Sequence, residues 1–121
     1  MYTSTILATL LAAATAHAAI LDLRAAADFG KCNPSMDFQL GRPGRKPDEG
    51  TFLPTDPLVA KGQQDALNPN IITNAICNQL TNVCAANQAA KDVCTQAKAV
   101  VSGLGTKDAS TAAAFNKALG L

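Results

Sequence analysis

The fold is decided by residues 68–104, NPNIITNAICNQLTNVCAANQAAKDVCTQAKAVVSGL, which combine two amphipathic patterns with three of the four cysteines. Asn68 can accept a hydrogen bond from a free N–H of a first helical turn, and Pro69 tolerates the first helical position. The spacing of the apolar residues predicts a helix over about 69–84. Its apolar stripe consists of residues that recur every three or four positions: Ile72, Ile76, Leu80 and Val83.

A second helix is predicted over about 87–103. Asn87 can cap it, and Gly103 and Gly105 supply a stop. Because the connection between the two helices is short, we expect them to lie side by side and antiparallel. The apolar residues of the second helix again follow helical spacing: Ala90, Val93, Cys94, Ala97, Val100, Val101 and Leu104.

A third helix is predicted over about 108–119, at the C-terminal end of the sequence. Thr106 or Asp108 can cap it, and we expect it to pack on the first two helices with Phe115 as its anchor. The residues on its apolar face are Ala112, Phe115, Ala118 and Leu119.

Helix geometry restricts how the cysteines pair. Cys77 and Cys84 lie on one helix about 10 Å apart along its axis, whereas a disulfide needs Cα atoms closer than about 7 Å. If the turn centres near Ala86, Cys77 and Cys94 lie level across the antiparallel helices. This favours a disulfide between Cys77 and Cys94 and leaves Cys84 to Cys32.

A rival pairing stays open on the sequence alone. It joins Cys84 to Cys94 and Cys32 to Cys77, and it needs a turn centred near Ala89 and a later start of the second helix. A zinc site is disfavoured, because the four cysteines lack the paired short spacings of such sites.

Residues 1–18 are typical of a secretory signal peptide. The run ILATLLAAA is uncharged and too short to span a bilayer, and it leads to the small residues Ala16 and Ala18, which fit the cleavage rule. The four cysteines independently indicate an oxidising compartment. We therefore expect secretion, an N-terminal arm over 19–31 and a single disulfide-stabilised domain over 32–121.

Residues 32–68 contain five of the six prolines, and these break any long periodic element. MDFQL, residues 36–40, alternates and is compatible with a short strand, but no partner strand is evident. We expect an irregular, mostly extended segment. The predicted fold class is mainly α: a small disulfide-stapled helical bundle, made of an antiparallel hairpin and a C-terminal helix, with a long irregular N-terminal segment.

The composition argues against an enzyme. The single histidine, His17, is lost with the predicted signal peptide, so the mature chain has none for nucleophilic catalysis or metal binding. We expect no catalytic residue, no metal and no cofactor. Carboxylates are scattered through the irregular segment, which is typical of solvated charges rather than of a hydrolase site. They are Asp37, Asp48, Glu49, Asp56 and Asp65.

The net charge of +1 and the single tyrosine argue against a nucleic-acid partner. Membrane-surface binding is disfavoured, because Lys91 and Lys98 lie on an otherwise neutral helix, and stable membrane insertion is not expected. The run GRPGRKPDEG, residues 41–50, is a candidate interaction loop or a protease-sensitive site in the secretory pathway, with a solvated turn as the alternative. Its charged residues are Arg42, Arg45, Lys46, Asp48 and Glu49.

Three stretches resemble small secreted cysteine-containing proteins of filamentous fungi. They are FGKC from Phe29 to Cys32, GRPGRKPDEGTFLPTDP at 41–57, and IITNAICNQLTNVCAANQAAKDVC at 71–94. Such proteins are mostly uncharacterised and carry effector-like or cell-wall labels. The resemblance implies secretion, four half-cystines and a helical body, and it transfers no catalytic or binding residue to this chain.

The sequence therefore predicts a small secreted protein, effector-like or associated with a cell wall, that acts outside the cell by contact. Its expected partner is an unknown extracellular protein or a cell-wall component, and the chain is expected to be a monomer. The alternative is a carrier of a small apolar ligand, bound in a cavity among the helices. The residues expected to line that cavity are Ile72, Ile76, Leu80, Val93, Val100 and Phe115.

Overall fold

The computed structural model describes residues 26–121. The predicted signal peptide, 1–18, and most of the predicted arm, 19–31, lie outside the described residues. Within the described part, a two-stranded antiparallel sheet is followed by four helices. The elements are β1 (Met36–Leu40), β2 (Gly50–Pro54), α1 (Pro57–Ala60), α2 (Pro69–Asn82), α3 (Gln88–Leu104) and α4 (Ala109–Ala118).

The three long helices begin where capping residues precede the apolar patterns. The side-chain oxygens of Asn68, Asn87 and Asp108 accept hydrogen bonds from backbone N–H groups in the first turns of α2, α3 and α4. Gly105 ends α3 in the left-handed conformation, with a φ of 65°. The bounds of these helices differ from the predicted ranges by at most two residues at either end.

The segment 32–68, predicted to be irregular and mostly extended, contains two paired strands and the short helix α1. MDFQL forms β1, and GTFLP pairs with it as β2. Sequence patterns miss this partner because Gly50 and Pro54 bound it, and both residue types are uncommon in strands. Pro54 is tolerated opposite Met36, where the ladder needs no N–H from β2. The fold is therefore mainly helical with a small sheet, and it is not a purely helical bundle.

The register of the hairpin decides which backbone groups of β1 face outward. Just before β1, Thr55 N donates to Ser35 O at 3.1 Å, and just after β1, Gly41 N donates to Glu49 O at 3.0 Å. Since hydrogen-bonded pairs alternate along an antiparallel ladder, the odd-numbered residues of β1 bond to β2. Met36, Phe38 and Leu40 therefore direct their N–H and C=O groups away from β2.

The two outer edges of the sheet are covered differently. Phe52 exchanges two backbone hydrogen bonds of 2.9 and 3.0 Å with Ala66, so the chain after α1 lies along the edge of β2. On the edge of β1, the side-chain amide of Asn116 accepts from Met36 N and donates to Met36 O, each at 2.9 Å. An amide side chain has the donor and the acceptor of a peptide group. Asn116 therefore fastens β1 to α4 as a neighbouring strand would.

The hydrophobic core lies between the helices and the face of the sheet that carries Met36 and Phe52. The rings of Phe38 and Phe52 lie 5.1 Å apart across the hairpin. Phe115, the expected anchor of the third predicted helix, is completely buried. The largest buried apolar side chains are Met36, Phe52, Val59, Ile72, Ile76, Leu80, Val101 and Phe115.

Two disulfides join these elements, in the pairing that the levels of the cysteines favour. Cys77–Cys94 links α2 to α3 with Cα atoms 5.7 Å apart. Cys32–Cys84 links the segment before β1 to the end of α2 with Cα atoms 5.3 Å apart. Gly30 lies against Cys84, where its φ is +66° and an added Cβ would stand 1.9 Å from Cys84 O. The chain therefore needs glycine at this position to reach its disulfide.

The two disulfides are expected to contribute unequally to stability. In the chain-entropy model, Cys32–Cys84, with a separation of 52 residues, contributes about 4 kcal/mol, and Cys77–Cys94, with a separation of 17, about 3 kcal/mol. We expect the double alanine variant at Cys32 and Cys84 to unfold at a lower denaturant concentration than the variant at Cys77 and Cys94. Denaturant unfolding followed by far-UV circular dichroism measures both, and the reverse order would contradict the entropic account.

The Asn116 clamp is expected to stabilise the fold. Asn116→Leu leaves the N–H and C=O of Met36 without their partner, and we expect the free energy of unfolding to fall by roughly 2 to 4 kcal/mol. Asn78→Leu is the matched control, because Asn78 is an exposed residue of α2 whose side chain bonds to no other described residue. Denaturant unfolding of both variants tests this, and equal stabilities would argue against the clamp.

Candidate functional site

A hollow of about 640 Å³ lies on the β-hairpin, and we call it the hairpin hollow. It is larger than three other hollows, of about 340, 310 and 220 Å³, on the described surface. The end of β1, the middle of β2 and the chain before Ala66 contribute its lining. The lining residues are Gln39, Leu40, Gly41, Arg42, Pro43, Leu53, Gln63, Gln64 and Asp65.

The loop between β1 and β2 forms one wall of the hairpin hollow. It contains two tight turns, in which Arg45 N donates to Arg42 O at 2.9 Å and Glu49 N donates to Lys46 O at 3.0 Å. This is the loop that the sequence singles out as a candidate interaction loop. The structure thus places that loop beside a concave surface that the sequence does not reveal.

Arg42 is held firmly in this wall. Its side chain is only 11% exposed, and its Nη2 donates to Asp37 Oδ1 in β1. Its Nε is buried and has no hydrogen-bond partner among residues 26–121. The Arg42 guanidinium therefore holds the base of the loop in place, because movement of the loop would separate its partly buried ion pair with Asp37.

Arg45 joins the loop to the opposite wall. Its Nε lies 3.1 Å from Asp65 Oδ2, and its Nη2 donates to Asp65 O at 3.2 Å. The Thr51 hydroxyl, and after it the Arg45 guanidinium, lower the pKa of Asp65 against the opposing effect of burial. Thr51 Oγ1 makes no hydrogen bond to any described residue, whereas Arg45 makes two to Asp65. Arg45 is therefore the main partner of Asp65.

Three of the five predicted loop residues therefore hold the loop in shape. Arg42 and Arg45 are in ion pairs, and Glu49 lies 3.9 Å from Arg45. Lys46 and Asp48 are exposed at the tip and carry opposite charges. The wall of the hollow is consequently close to neutral.

The remaining lining of the hairpin hollow is suited to contact with uncharged groups. The amides of Gln39, Gln63 and Gln64 supply donors and acceptors, while Leu40 and Leu53 supply apolar surface. Such a mixture of apolar surface with a few polar groups is typical of ligand sites. Sequence patterns do not single out this lining, since the glutamines follow no periodic pattern and Leu53 lies in β2, whose pairing the sequence does not reveal.

The residues predicted to line a ligand cavity do not surround a common space. Ile72, Ile76 and Leu80 of α2 are completely buried in the core with Phe115. The other two members lie elsewhere. Val93 is half-buried beside a separate hollow at the end of α4, and Val100 is 43% exposed.

The carboxylates of the segment before α2 serve local structure. Asp37 and Asp65 pair with arginines, and Asp56 accepts hydrogen bonds from Leu58 N in α1 and from Asn33 N, each at 2.9 Å. Within residues 26–121, no group of three or more His, Cys, Asp or Glu side chains is arranged to hold a metal ion. None of the described helices combines the length and the apolarity needed to cross a membrane.

Comparisons with protein-family models, with curated proteins and with solved structures give no match for this chain. Inference about function therefore rests on the arrangement of the side chains. In that arrangement, the hairpin hollow joins the candidate interaction loop to a concave lining of amides and leucines.

The lowered pKa of Asp65 predicts a pH-dependent contribution to stability. A carboxyl group whose pKa is depressed by folding stabilises the protein above its ordinary pKa of 3.8, and this contribution is lost as the pH falls through the folded-state value. We expect Asp65→Asn to lower the free energy of unfolding by roughly 1 to 2 kcal/mol at neutral pH. The difference from the wild-type protein should shrink as the pH falls below 3.8.

Urea unfolding of the two proteins at neutral and at acidic pH measures this difference. Asp48→Asn is the control, because Asp48 is exposed at the tip of the same loop. A difference between Asp65→Asn and wild type that stays constant with pH would contradict the role given to the Asp65 carboxylate.

Proposed function

We propose that this protein is a small secreted protein that acts by binding, and that the hairpin hollow is its binding surface. The observation that carries this proposal is the hollow itself, at about 640 Å³ and on an anchored loop. Its volume lies within the range of roughly 300 to 1,000 Å³ that is usual for ligand sites.

The anchoring of the loop favours recognition. Arg42 fastens the base of the loop to Asp37, and Arg45 fastens its middle to Asp65. A surface that is already ordered loses little conformational entropy when a partner binds. The free energy of each new contact can therefore contribute to affinity.

The proposed location outside the cell is supported by the covalent chemistry. Two disulfides, with no free cysteine among the described residues, suit an oxidising compartment. The predicted signal peptide at 1–18 points the same way. The proposed partner is accordingly an extracellular protein or a cell-wall component.

Contact suits this surface better than catalysis or transport. The carboxylate of Asp65, which lines the hollow, and that of Asp37 in β1 are both engaged by arginines. Residues that a carrier would need as the lining of its cavity, such as Ile76 and Phe115, are completely buried in the packed core. What the hollow offers is a shaped, nearly neutral surface of amides and leucines.

The proposal is tested by filling the hairpin hollow. Gln64 is exposed at its wall, so Gln64→Trp should place an indole in the hollow without disturbing the core. The full chain is produced in a secreting yeast, purified from the medium and incubated with the extracellular proteins and, separately, the cell-wall fraction of its source organism. We expect saturable binding to one fraction that falls at least about tenfold with Gln64→Trp.

Gln96→Trp is the matched control, because Gln96 is also exposed but lies by the separate hollow at the end of α4. It should bind as the wild-type protein does. Retention of the chain inside the yeast would contradict the secreted location. Absence of binding to either fraction, or equal loss in both variants, would contradict the role of the hairpin hollow.

A further inference from the structure

The outer edge of β1 is a short row of backbone hydrogen-bonding groups. The register of the hairpin directs the N–H and C=O groups of Met36, Phe38 and Leu40 away from β2. Donors and acceptors on alternate residues of a strand recur about every 7 Å along its edge. The edge therefore has the spacing that another strand requires.

Asn116 already occupies the first position of this row. Its amide accepts from Met36 N and donates to Met36 O, as a paired strand residue would. Among residues 26–121, the structure gives the N–H and C=O groups of Phe38 and Leu40 no partner. The row is thus closed at one end and open over two positions at the other.

The open positions lie at the surface and meet the hairpin hollow. Leu40 is 61% exposed, and Phe38 is only half-buried. Gln39, Leu40 and Gly41, at the end of β1, also line the hollow. A chain paired with this edge would therefore lie beside the hollow and could place a side chain in it.

The charges around the edge indicate the composition of such a chain. Asp37 is neutralised by Arg42, and Arg45 is shared between Asp65 and Glu49. A buried charge on the incoming chain would find no unpaired counter-charge among the residues that line the hollow, and its desolvation would oppose binding. An apolar or amide side chain suits the leucines and glutamines of the hollow.

A second copy of this protein fits the edge less well. Asn116 closes the row at Met36, and Gly41 leaves the strand with a φ of +66°. Pairing of two copies would therefore be limited to Phe38, Gln39 and Leu40 on each side. A stable interface between proteins uses roughly 20 to 30 residues on each side, whereas a peptide can bind through a single strand.

We propose that the edge of β1 at Phe38 and Leu40 binds an extended, uncharged peptide segment of an extracellular partner as a third strand of the sheet. This inference rests on the proposed function and deepens it, because it names the chemistry of the partner. The partner's backbone pairs with the edge, and one of its apolar side chains enters the hairpin hollow.

The probe is a phage-displayed library of random linear peptides, selected on the disulfide-bonded full chain. We expect enrichment of peptides rich in apolar and β-branched residues and poor in charge. Synthetic copies of an enriched peptide are then methylated at one backbone nitrogen at a time. Because alternate N–H groups of a paired strand point at its neighbour, methylation should weaken binding at every second position.

Leu40→Pro removes one outward N–H without touching the bonds between β1 and β2, and proline is tolerated on strand edges. We expect it to weaken peptide binding at least about tenfold. Leu67→Pro is the matched control, because Leu67 is 47% exposed and its N–H donates to no described residue. The methylation series keeps the test decisive if Leu40→Pro fails to fold.

Amide hydrogen exchange locates the paired groups. In the free protein, the N–H groups of Phe38 and Leu40 should exchange faster than those of Asp37 and Gln39, and the enriched peptide should slow the faster pair. Absence of enriched peptides, or methylation effects without an alternating pattern, would overturn the inference. Binding lost with Gln64→Trp but kept with Leu40→Pro would also overturn it, while leaving the hairpin hollow as the binding surface.

Two other occupants of the edge give distinct results. If the exchange at Phe38 and Leu40 is slow and becomes slower as the protein concentration rises, and if the protein sediments as a dimer, two copies pair through this edge. Slow exchange at the lowest concentration, abolished in a chain that starts at Ala26, would show that residues 19–25 occupy the edge. Either result would overturn the assignment to a partner's peptide.

Discussion

The rest of the structure depends on the amide of Asn116, where the sheet and the helical body meet through specific hydrogen bonds. Burial of apolar area is non-directional and would hold β1 against α4 in more than one position. Because the Asn116 amide uses both its donor and its acceptor on the backbone of Met36, β1 can lie against α4 in one position only. That position turns Phe52 into the core and Leu53 toward the hairpin hollow. A contact across 80 residues of sequence thus orients the surface that faces the solvent.

The disulfides compensate for a modest core. Among the buried residues of α3 are small side chains such as Ala90 and Ala97, which are completely buried but contribute little apolar area. Small side chains let the helices approach closely, so that Cys77 and Cys94 meet. The second bond, Cys32–Cys84, fastens the segment that leads into the sheet. The covalent links therefore supplement hydrophobic burial, since Cys84 and Cys94 are themselves completely buried.

Local signals in the sequence suffice for the three long helices, and they favour the observed disulfide pairing without excluding its rival. The caps at Asn68, Asn87 and Asp108 act within one turn, whereas the levels of the cysteines depend on helix rise and on where the turn between the helices lies. The hairpin depends on distant contacts: the bridge of β2 to Ala66 and the clamp from Asn116. The hollow could not be predicted, because it exists only when three separated segments meet. The arginine-rich loop could be recognised in the sequence, but its ion pairs with Asp37 and Asp65 could not.

The Cys32–Cys84 disulfide also affects what a break in the chain would do. The covalent ring that it closes contains the whole hairpin and its exposed tip at Lys46. A protease that cuts at this tip opens the ring but releases no fragment, because the two pieces remain joined through the cystine. The ion pair of Arg45 with Asp65 then spans the cut and keeps the new ends together. A single cut at this tip by a protease would therefore leave both pieces of the chain joined in one molecule.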